Sequence, residues 1–309
     1  MRLAALVLML ASPALAGDLA FVTSQNADMV TVLDTATGQV LARTPIAGKP
    51  APVAYDPAAG RAYVIAADTG LLHVLDEQGG VTASRALGEG AFGLAVAPGG
   101  GLFVTDWFGA RLIHLDRTLQ KVWEAPTGAA PAGVAVSDDG RWVATADRDD
   151  NAISIFDVGS GRLLAQVKTA GAHPFGITFH DGRFWTADVQ GDSVSVIDPV
   201  AGRLAGQVPT GSHPYAVAFA GGRGFVTNQY AGTLTVFDPR SLAVLAEIPV
   251  GDYPEGISAL PDGDAVAVAN WESDTLTIVD AESLEIRSEI AMPSGPRAFG
   301  QFTGRQESR

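Results

Sequence analysis

The sequence predicts an all-β fold in which seven four-stranded blades close into a ring. A phrase of short apolar strands recurs along the chain, and the third strand of each repeat ends at an Asp. The seven Asp markers are Asp34, Asp76, Asp116, Asp157, Asp198, Asp238 and Asp280, separated by 42, 40, 41, 41, 40 and 42 residues. Repeats of about 40 to 45 residues with four short strands are typical of propeller blades. The even spacing therefore predicts a seven-bladed β-propeller.

The repeat that contains Asp238 shows how each strand is expected to form. Residues 216–219 are a small apolar inner strand, and residues 225–227 are a bulkier second strand after a Gly-Gly turn. Residues 233–237 alternate polar and apolar side chains, as a half-exposed strand does, and residues 243–250 form the outer strand. Asp238 then turns the chain, because an Asp side chain accepts a hydrogen bond from the backbone two residues later.

The two ends of the chain are predicted to share one blade. Residues 19–23 match the second strand of a repeat, and residues 296–302 match an inner strand. The last strand should therefore complete the blade begun by the first three strands and leave no unpaired seam in the ring.

The first residues have the composition of an export signal. Arg2 supplies a positive start, residues 3–10 are apolar, and residues 14–16 resemble a cleavage site. We expect residues 1–16 to be removed and residues 17–309 to form a single propeller domain with about 42 residues per blade. The apolar stretch is shorter than the ~20 residues that span a bilayer. The expected product is a soluble, monomeric, periplasmic or secreted protein.

Charge and cysteine content exclude several classes of protein. The chain has no cysteine, which excludes disulfides, covalent c-type haem and thiolate metal sites. Its formal net charge is −14, and a field this negative repels nucleic-acid backbones and anionic membranes. We therefore expect cationic or neutral partners, and neither nucleic acid nor membrane among them.

Three second strands share the phrase Phe21-Val22-Thr23, Phe103-Val104-Thr105 and Phe225-Val226-Thr227. With third strands such as residues 275–280 and the Gly-x-x-Pro loops that follow the outer strands, they resemble the YVTN-type β-propeller repeat family. The resemblance covers about residues 18–305 and implies a seven-bladed, exported bacterial propeller without one assigned activity. Relatives of similar architecture include large subunits of periplasmic quinone-dependent amine dehydrogenases and the haem d1-binding domain of a nitrite reductase. Phe replaces Tyr at most repeats, and residues 88–91 lack the Pro.

Two sets of loops are expected on one face of the ring: the inner loops, which lead into the inner strands, and the joining loops, between second and third strands. The opposite face collects Asp-Gly and Gly-Gly turns. Loops on a rigid scaffold carry function, so we predict a ligand-binding site at the mouth of the axial channel on the chemically diverse face. The candidate ligand-binding residues are His173, His213, Tyr215, Tyr253, Glu255, Arg297, Trp107, Asn228, Tyr230, Asn270 and Trp271.

The imidazoles and the aromatic side chains of these loops each have two interpretations. His173 and His213 occupy the same position in neighbouring repeats, so they could bind a metal or a haem iron, or could order the loop before Pro. Trp107, Tyr230 and Trp271 either form a stacking platform for a ligand or pack between blades.

The oxygen-bearing side chains are equally open to interpretation. Asn228, Asn270, Asp106 and Glu255 resemble the metal ligands of propeller lactonases, and oxygen ligands suit Ca²⁺ or Mg²⁺. Asn and Asp also end strands and begin turns, with no ligand involved. The sequence identifies neither the metal nor the cofactor, if either is bound.

No Ser-His-Asp constellation, phosphate-binding glycine loop or nucleotide fingerprint occurs in a suitable context. The leading hypothesis is a noncatalytic exported propeller that binds a protein partner or a small ligand at one face of the axial channel. The first alternative is an accessory subunit or maturation factor of a periplasmic quinone- or haem-dependent dehydrogenase. The second is a divalent-metal-dependent, lactonase-like hydrolase.

Overall fold

The computed structural model describes residues 17–307 as seven antiparallel, four-stranded sheets. Inner strands of successive sheets contact one another around a common axis, so the predicted seven-bladed β-propeller is confirmed. The predicted export signal, residues 1–16, lies outside the described residues. In the described part of the chain, no helix has the length and apolar character needed to cross a membrane.

The strands follow the chain blade by blade. Blade 1 begins with β1 (Asp18–Ser24), β2 (Met29–Asp34) and β3 (Val40–Pro45). Blade 2 contains β4 (Pro50–Asp56), β5 (Arg61–Ala66), β6 (Leu71–Asp76) and β7 (Val81–Ala86), and blade 3 contains β8 (Ala91–Val96), β9 (Leu102–Asp106), β10 (Arg111–Leu115) and β11 (Lys121–Pro126). Blade 4 contains β12 (Pro131–Val136), β13 (Trp142–Asp147), β14 (Ala152–Asp157) and β15 (Leu163–Lys168), with a 3-10 helix at Arg148–Asp150. Blade 5 contains β16 (Pro174–His180), β17 (Arg183–Asp188), β18 (Ser193–Asp198) and β19 (Arg203–Pro209). Blade 6 contains β20 (Pro214–Ala220), β21 (Arg223–Asn228), β22 (Thr233–Phe237) and β23 (Val244–Pro249). Blade 7 contains β24 (Pro254–Ala259), β25 (Ala265–Asn270), β26 (Thr275–Asp280) and β27 (Ile286–Ala291), and β28 (Thr303–Arg305) returns to blade 1.

The seven marker Asp residues close the turn between the third and fourth strands. Asp238 Oδ1 accepts hydrogen bonds from the backbone N–H groups of Arg240 at 2.7 Å and Ser241 at 2.9 Å. The same Asp-to-backbone bonds occur at Asp34, Asp76, Asp116, Asp157, Asp198 and Asp280. The predicted turn is confirmed, and the periodic Asp residues are structural.

The Thr of the Phe-Val-Thr phrase links neighbouring blades. Thr227 Oγ1 donates to the carbonyl oxygen of Glu255 in blade 7 at 2.8 Å and accepts from the N–H of Ala216 at 3.1 Å. Thr105 makes the equivalent bridge between blades 3 and 4, and Thr23 makes it between blades 1 and 2. In blade 6, a register shift between Pro214 and Val217 interrupts the ladder, which leaves the N–H of Ala216 available to the threonine.

Apolar clusters fill the spaces between blades. Between blades 5 and 6, Trp185, Val217 and Phe237 are almost completely buried against one another. Gly224 makes room for this packing, because a Cβ atom there would lie 2.1 Å from Phe237 Cζ. Each blade therefore buries both faces against its neighbours, and the ring needs no other core.

The ring closes as predicted, although the closing segment is less regular than expected. Only β28 forms a regular strand on β1, whereas the expected inner strand at residues 296–302 departs from the ladder. The reason is a bend toward blade 2, where Phe299 N donates to the carbonyl oxygen of Ala51 at 3.1 Å and Val53 N donates to that of Phe299 at 2.9 Å. This bend carries the Phe299 side chain to the axis.

Candidate functional site

The structure brings the inner loops and joining loops of each blade together on one face. In blades 5, 6 and 7 the joining loop donates a backbone hydrogen bond to the residue before the inner-strand Pro. The three bonds are Val189 N to His173 O at 3.0 Å, Gln229 N to His213 O at 2.9 Å and Trp271 N to Tyr253 O at 2.9 Å. This face, called the aromatic face below, carries the candidate residues predicted from the sequence.

Four aromatic rings close the axial channel on this face. Phe92 lies 5.7 Å from Phe175 and 5.3 Å from Phe299 between ring centroids, and Tyr215 lies 4.7 Å from Phe175. These side chains come from blades 3, 5, 6 and 1, so the contacts among all four lie at the axis. We call Phe92, Phe175, Tyr215 and Phe299 the aromatic plug. The axial channel is therefore filled by largely buried aromatic side chains at this end.

The sequence did not predict that Phe92 and Phe299 lie at the propeller axis. Phe92 follows Ala91 at the place where Phe175 follows Pro174, but its repeat has lost the Pro. Because Phe92 and Phe175 occupy the same position in their repeats, aligning the repeats would have predicted that Phe92 lies at the axis. Phe299 lies within residues 296–302, which match an inner strand by sequence. The position of its side chain at the axis depends on the bend of the closing segment.

A buried polar network borders the plug. Arg297 Nη2 donates to the hydroxyl oxygen of Tyr215 at 2.6 Å, and Arg297 Nε lies 2.8 Å from Glu255 Oε2. Gln229 Nε2 donates to Glu255 Oε1 at 2.6 Å, and Arg297 Nη1 donates to Gln25 Oε1 at 3.0 Å. Burial raises the pKa of Glu255, and Arg297 opposes that rise. The network fixes three of the predicted candidates, Tyr215, Glu255 and Arg297, in one place.

A second group of candidates forms an aromatic ladder across blades 6 and 7. The ring of His213 stacks on Tyr230 at 3.8 Å, Tyr230 lies 5.5 Å from Tyr253, and Tyr253 lies 5.7 Å from Trp271. Burial and the neighbouring Tyr230 raise the pKa of Tyr253 to about 12. His213 stacks on Tyr230, and the tilted contacts of Tyr253 and Trp271 continue the row across the boundary between blades 6 and 7.

Both exposed aromatic side chains of residues 17–307 lie on the aromatic face. Phe108 is 77% exposed and Tyr230 is 60% exposed. The other large exposed apolar side chains are aliphatic, and most of them belong to the outer strands. Exposed aromatic rings on one face are typical of a recognition surface.

A shallow depression of about 440 Å³ lies beside the plug, between blades 2, 3 and 4. Its apolar walls are Phe92, Phe175, Trp107 and Phe108, and its cationic side chains are Arg148 and Arg297. The guanidinium carbon of Arg148 lies 5.7 Å from the centroid of the Trp107 ring, a cation–π contact. Arg148 also pairs with Asp149, and the exposed Glu89 lies at the rim.

The two candidate imidazoles are placed by the backbone of their loops. His173 and His213 have φ angles of 57° and 55°, and their N–H groups donate to side-chain oxygens of Asn151 at 2.8 Å and Asp192 at 2.9 Å. His213 stacks on Tyr230, whereas His173 lies near Arg148. Burial, followed by the charge of Arg148, lowers the pKa of His173. Residues 17–307 contain no cluster of three His, Asp or Glu side chains suited to a metal ion.

Asn228 and Asn270 lie inside their blades, away from the surface. Each is completely buried, and each donates through Nδ2 to two Thr hydroxyls of the adjacent third strand. Asp147 and Asp188 hold the same position in blades 4 and 5. Asp106 pairs with Arg111 at 2.8 Å, and Glu255 pairs with Arg297. Asp106 and Glu255 are therefore occupied by arginines, whereas the Oδ1 atoms of Asn228 and Asn270 are buried without a hydrogen-bond partner among residues 17–307. The four side chains are not gathered at one accessible point.

Solved structures share this architecture at low sequence identity. A functionally unknown protein from Desulfotomaculum acetoxidans is 15% identical with a TM-score of 0.79, and the alignment covers 93% of this chain and 98% of that one. The dihydro-heme d1 dehydrogenase NirN in complex with DHE is 19% identical with a TM-score of 0.67, covering 93% of this chain and 76% of that one. Virginiamycin B lyase from Staphylococcus aureus is 18% identical with a TM-score of 0.70, covering 82% and 92%.

Neither a protein-family model nor a curated protein sequence matches the chain. At this level of identity the structural likeness shows the fold alone, because the same scaffold carries unrelated activities. The chain is a seven-bladed β-propeller with an aromatic face.

Proposed function

We propose that this chain is a noncatalytic, exported, monomeric propeller of the YVTN type that binds a small, flat, anionic ligand in the depression of the aromatic face. The observation that carries the proposal is the pair Arg148 and Arg297 among aromatic rings. Arg148 is the cation of the depression that a ligand can reach, because Glu255 already neutralises Arg297.

The chemistry of the depression fits a ring system with an acidic group. Trp107 and Phe108 offer ring faces, and a guanidinium binds carboxylate, sulfonate or phosphate oxygens through paired N–H donors. The volume of about 440 Å³ falls in the range of small-molecule sites. Net charge alone favours cationic or neutral partners, but the N–H donors of Arg148 favour an anionic group at this one point. Asp149 pairs with Arg148, Glu255 pairs with Arg297 and Glu89 lies at the rim, so the attraction for an anion is moderate and the binding is reversible.

A fluorescence titration with anilinonaphthalene sulfonate, a flat aromatic anion, tests the proposal. Arg148→Gln should weaken binding roughly 10-fold, since a charge-assisted hydrogen bond contributes about 1.5–3 kcal/mol. Asp149→Asn should strengthen binding because it releases Arg148 from its ion pair. Arg162→Gln is the matched control, because it removes the same charge from an exposed turn of the same blade on the opposite face.

The three variants separate a site from general electrostatics. Equal affinity in the wild type and Arg148→Gln would overturn the proposal, as would an equal loss in Arg162→Gln. Thermal unfolding of each variant shows that the fold is retained.

A second candidate function is the accessory role beside a haem-dependent dehydrogenase. Haem is flat and apolar with two carboxylates, so it suits the two arginines, and the lowered pKa of His173 keeps a neutral imidazole near Arg148. Haem bound here would supply redox chemistry. His173 lies beside Arg148 without lining the depression, so it would hold the iron only of a haem that extends past Arg148. Titration with hemin should give a saturable change in the haem absorbance that His173→Ala shifts. A spectrum that is identical in the wild type and His173→Ala would remove this candidate.

A further inference from the structure

A second cavity lies on the propeller axis beneath the aromatic plug. It has a volume of about 460 Å³ and is lined by inner strands, including residues 133–138, 176–180 and 216–219. These residues run to the far ends of β12, β16 and β20, so the cavity opens on the face opposite the aromatic face. Phe299 belongs both to its lining and to the plug, which separates the cavity from the depression described above.

The wall of this axial cavity is mainly apolar. Most of the residues that line it are Ala, Gly, Val or Ile. The hydroxyls of Ser137 and Thr178 in the wall already have partners: Ser137 Oγ donates to Asp139 at 2.7 Å, and Thr178 Oγ1 donates to the carbonyl oxygen of Val217 at 2.7 Å. A ligand here therefore gains from apolar contact and need not satisfy buried hydrogen-bonding groups.

One side of the cavity is aromatic. The rings of His180 and Phe219 stack with centroids 4.0 Å apart and planes 7° from parallel, and both side chains are half-buried. Trp185 lies behind them, 5.1 Å from Phe219. The opposite side carries small residues such as Ala54, Ala95 and Gly300. This shape leaves room for a ring against an aromatic wall.

The charge of the lining excludes a strong preference for ions. Asp138 is the one lining residue with a carboxylate, and it is exposed at the rim. Burial lowers the pKa of His180, opposed by Asp181 and Asp138, so its ring is neutral near pH 7. An anion would meet Asp138, and a cation would lose its hydration in an apolar cavity.

We propose that the axial cavity is a second binding site, which takes one small, uncharged, ring-bearing molecule. The site is independent of the function proposed for the aromatic face, because the plug separates them and their charge preferences differ. A volume of about 460 Å³ suits a small-molecule ligand.

Phenylnaphthylamine is the probe for this site, because it has the rings of anilinonaphthalene sulfonate without the charge. It should bind the wild type saturably at one site, and an excess of the sulfonate should not displace it. Phe219→Leu keeps an apolar side chain and removes the ring, so it should weaken binding roughly 2- to 10-fold, as expected for the loss of one aromatic contact. Phe108→Leu makes the same change on the aromatic face and should leave the affinity for the uncharged probe unchanged.

Absence of saturable binding to the wild type would overturn the inference. So would an equal loss of affinity in Phe219→Leu and Phe108→Leu, or complete displacement by the sulfonate. If Phe219→Leu lowers the thermal midpoint, His180→Leu provides a second test of the same wall, with the same expected loss. Arg148→Gln should affect the sulfonate and not the uncharged probe, so failure of either proposed site can be recognised separately.

Discussion

The hydroxyl of Thr227 lies 2.8 Å from the carbonyl oxygen of Glu255, across the boundary between blades 6 and 7. The same hydroxyl accepts the N–H of Ala216, so one side chain satisfies two backbone groups of neighbouring inner strands. Thr227→Val leaves both groups without this partner. We expect the free energy of unfolding to fall by about 1–3 kcal/mol, the usual cost of a buried unsatisfied group. Urea unfolding followed by circular dichroism measures the loss.

Thr186→Val is the matched control for that substitution. Thr186 is completely buried, and its hydroxyl finds no hydrogen-bond partner among residues 17–307. Val226 and Val104 occupy the corresponding place in their blades. Replacement by Val should therefore be neutral or stabilising. Equal losses in the two variants would show that the bridge made by Thr227 does not stabilise the ring.

The buried carboxyl of Asp188 should make stability depend on pH. Burial raises its pKa to about 7, opposed by hydrogen bonds from Ser195, Gly171 and Ser193. Because the folded state holds this proton more tightly than the unfolded state, the stabilisation is present near pH 4 and is lost as pH rises toward 7. Asp188→Asn, which copies Asn228, should stabilise the protein at pH 8 by on the order of 2 kcal/mol and much less at pH 5. Urea unfolding of the wild type and of Asp188→Asn at both pH values measures the difference in the free energy of unfolding. A difference of the same size at pH 5 and pH 8 would contradict the prediction.

The ion pair of Arg297 and Glu255 should be strongly coupled. Arg297→Met leaves the carboxylate of Glu255 buried without its cation, so we expect a loss of about 3 kcal/mol. Glu255→Gln in the same chain should recover part of that loss, because it removes the uncompensated charge. Thermal and urea unfolding of the two single variants and the double variant provide the cycle. Simple additivity of the two losses would contradict the coupling.

Truncation after Pro296 should open the ring. It removes β28 together with Phe299 and the fully buried Phe302, so blade 1 loses its inner strand and the plug loses one ring. We expect loss of the cooperative thermal transition in circular dichroism. A truncated chain that retained the full thermal midpoint would show that closure does not hold the ring together.

The fold follows from features that repeat, and repetition is visible in a single sequence. Asp markers, Gly-x-x-Pro loops and Phe-Val-Thr strands each make a local contact in the structure, so their period predicts the blades. The closing segment has no repeated counterpart, and its bend toward Ala51 depends on the finished ring. For this reason the sequence predicts closure but not the place of Phe299.

For the candidate site, the repeat predicts which loops share a face but not the direction in which each side chain points. Loop position assigns Tyr230, Tyr253 and Trp271 to one face, where they form a row that begins at His213. Whether a polar side chain in such a position points inward depends on its partners, and Asn228 turns to the Thr hydroxyls of its own blade. The two arginines of the depression, Arg148 and Arg297, come from distant parts of the chain. The net charge of the protein is negative, so it does not reveal them.

A crystal structure of the wild type with anilinonaphthalene sulfonate tests the central claim most directly. The proposed function predicts the sulfonate within hydrogen-bonding distance of the Arg148 guanidinium, with the rings against Trp107 and Phe108. Ligand density confined to the axial cavity or to the outer strands, with the depression empty at a saturating concentration, would contradict it.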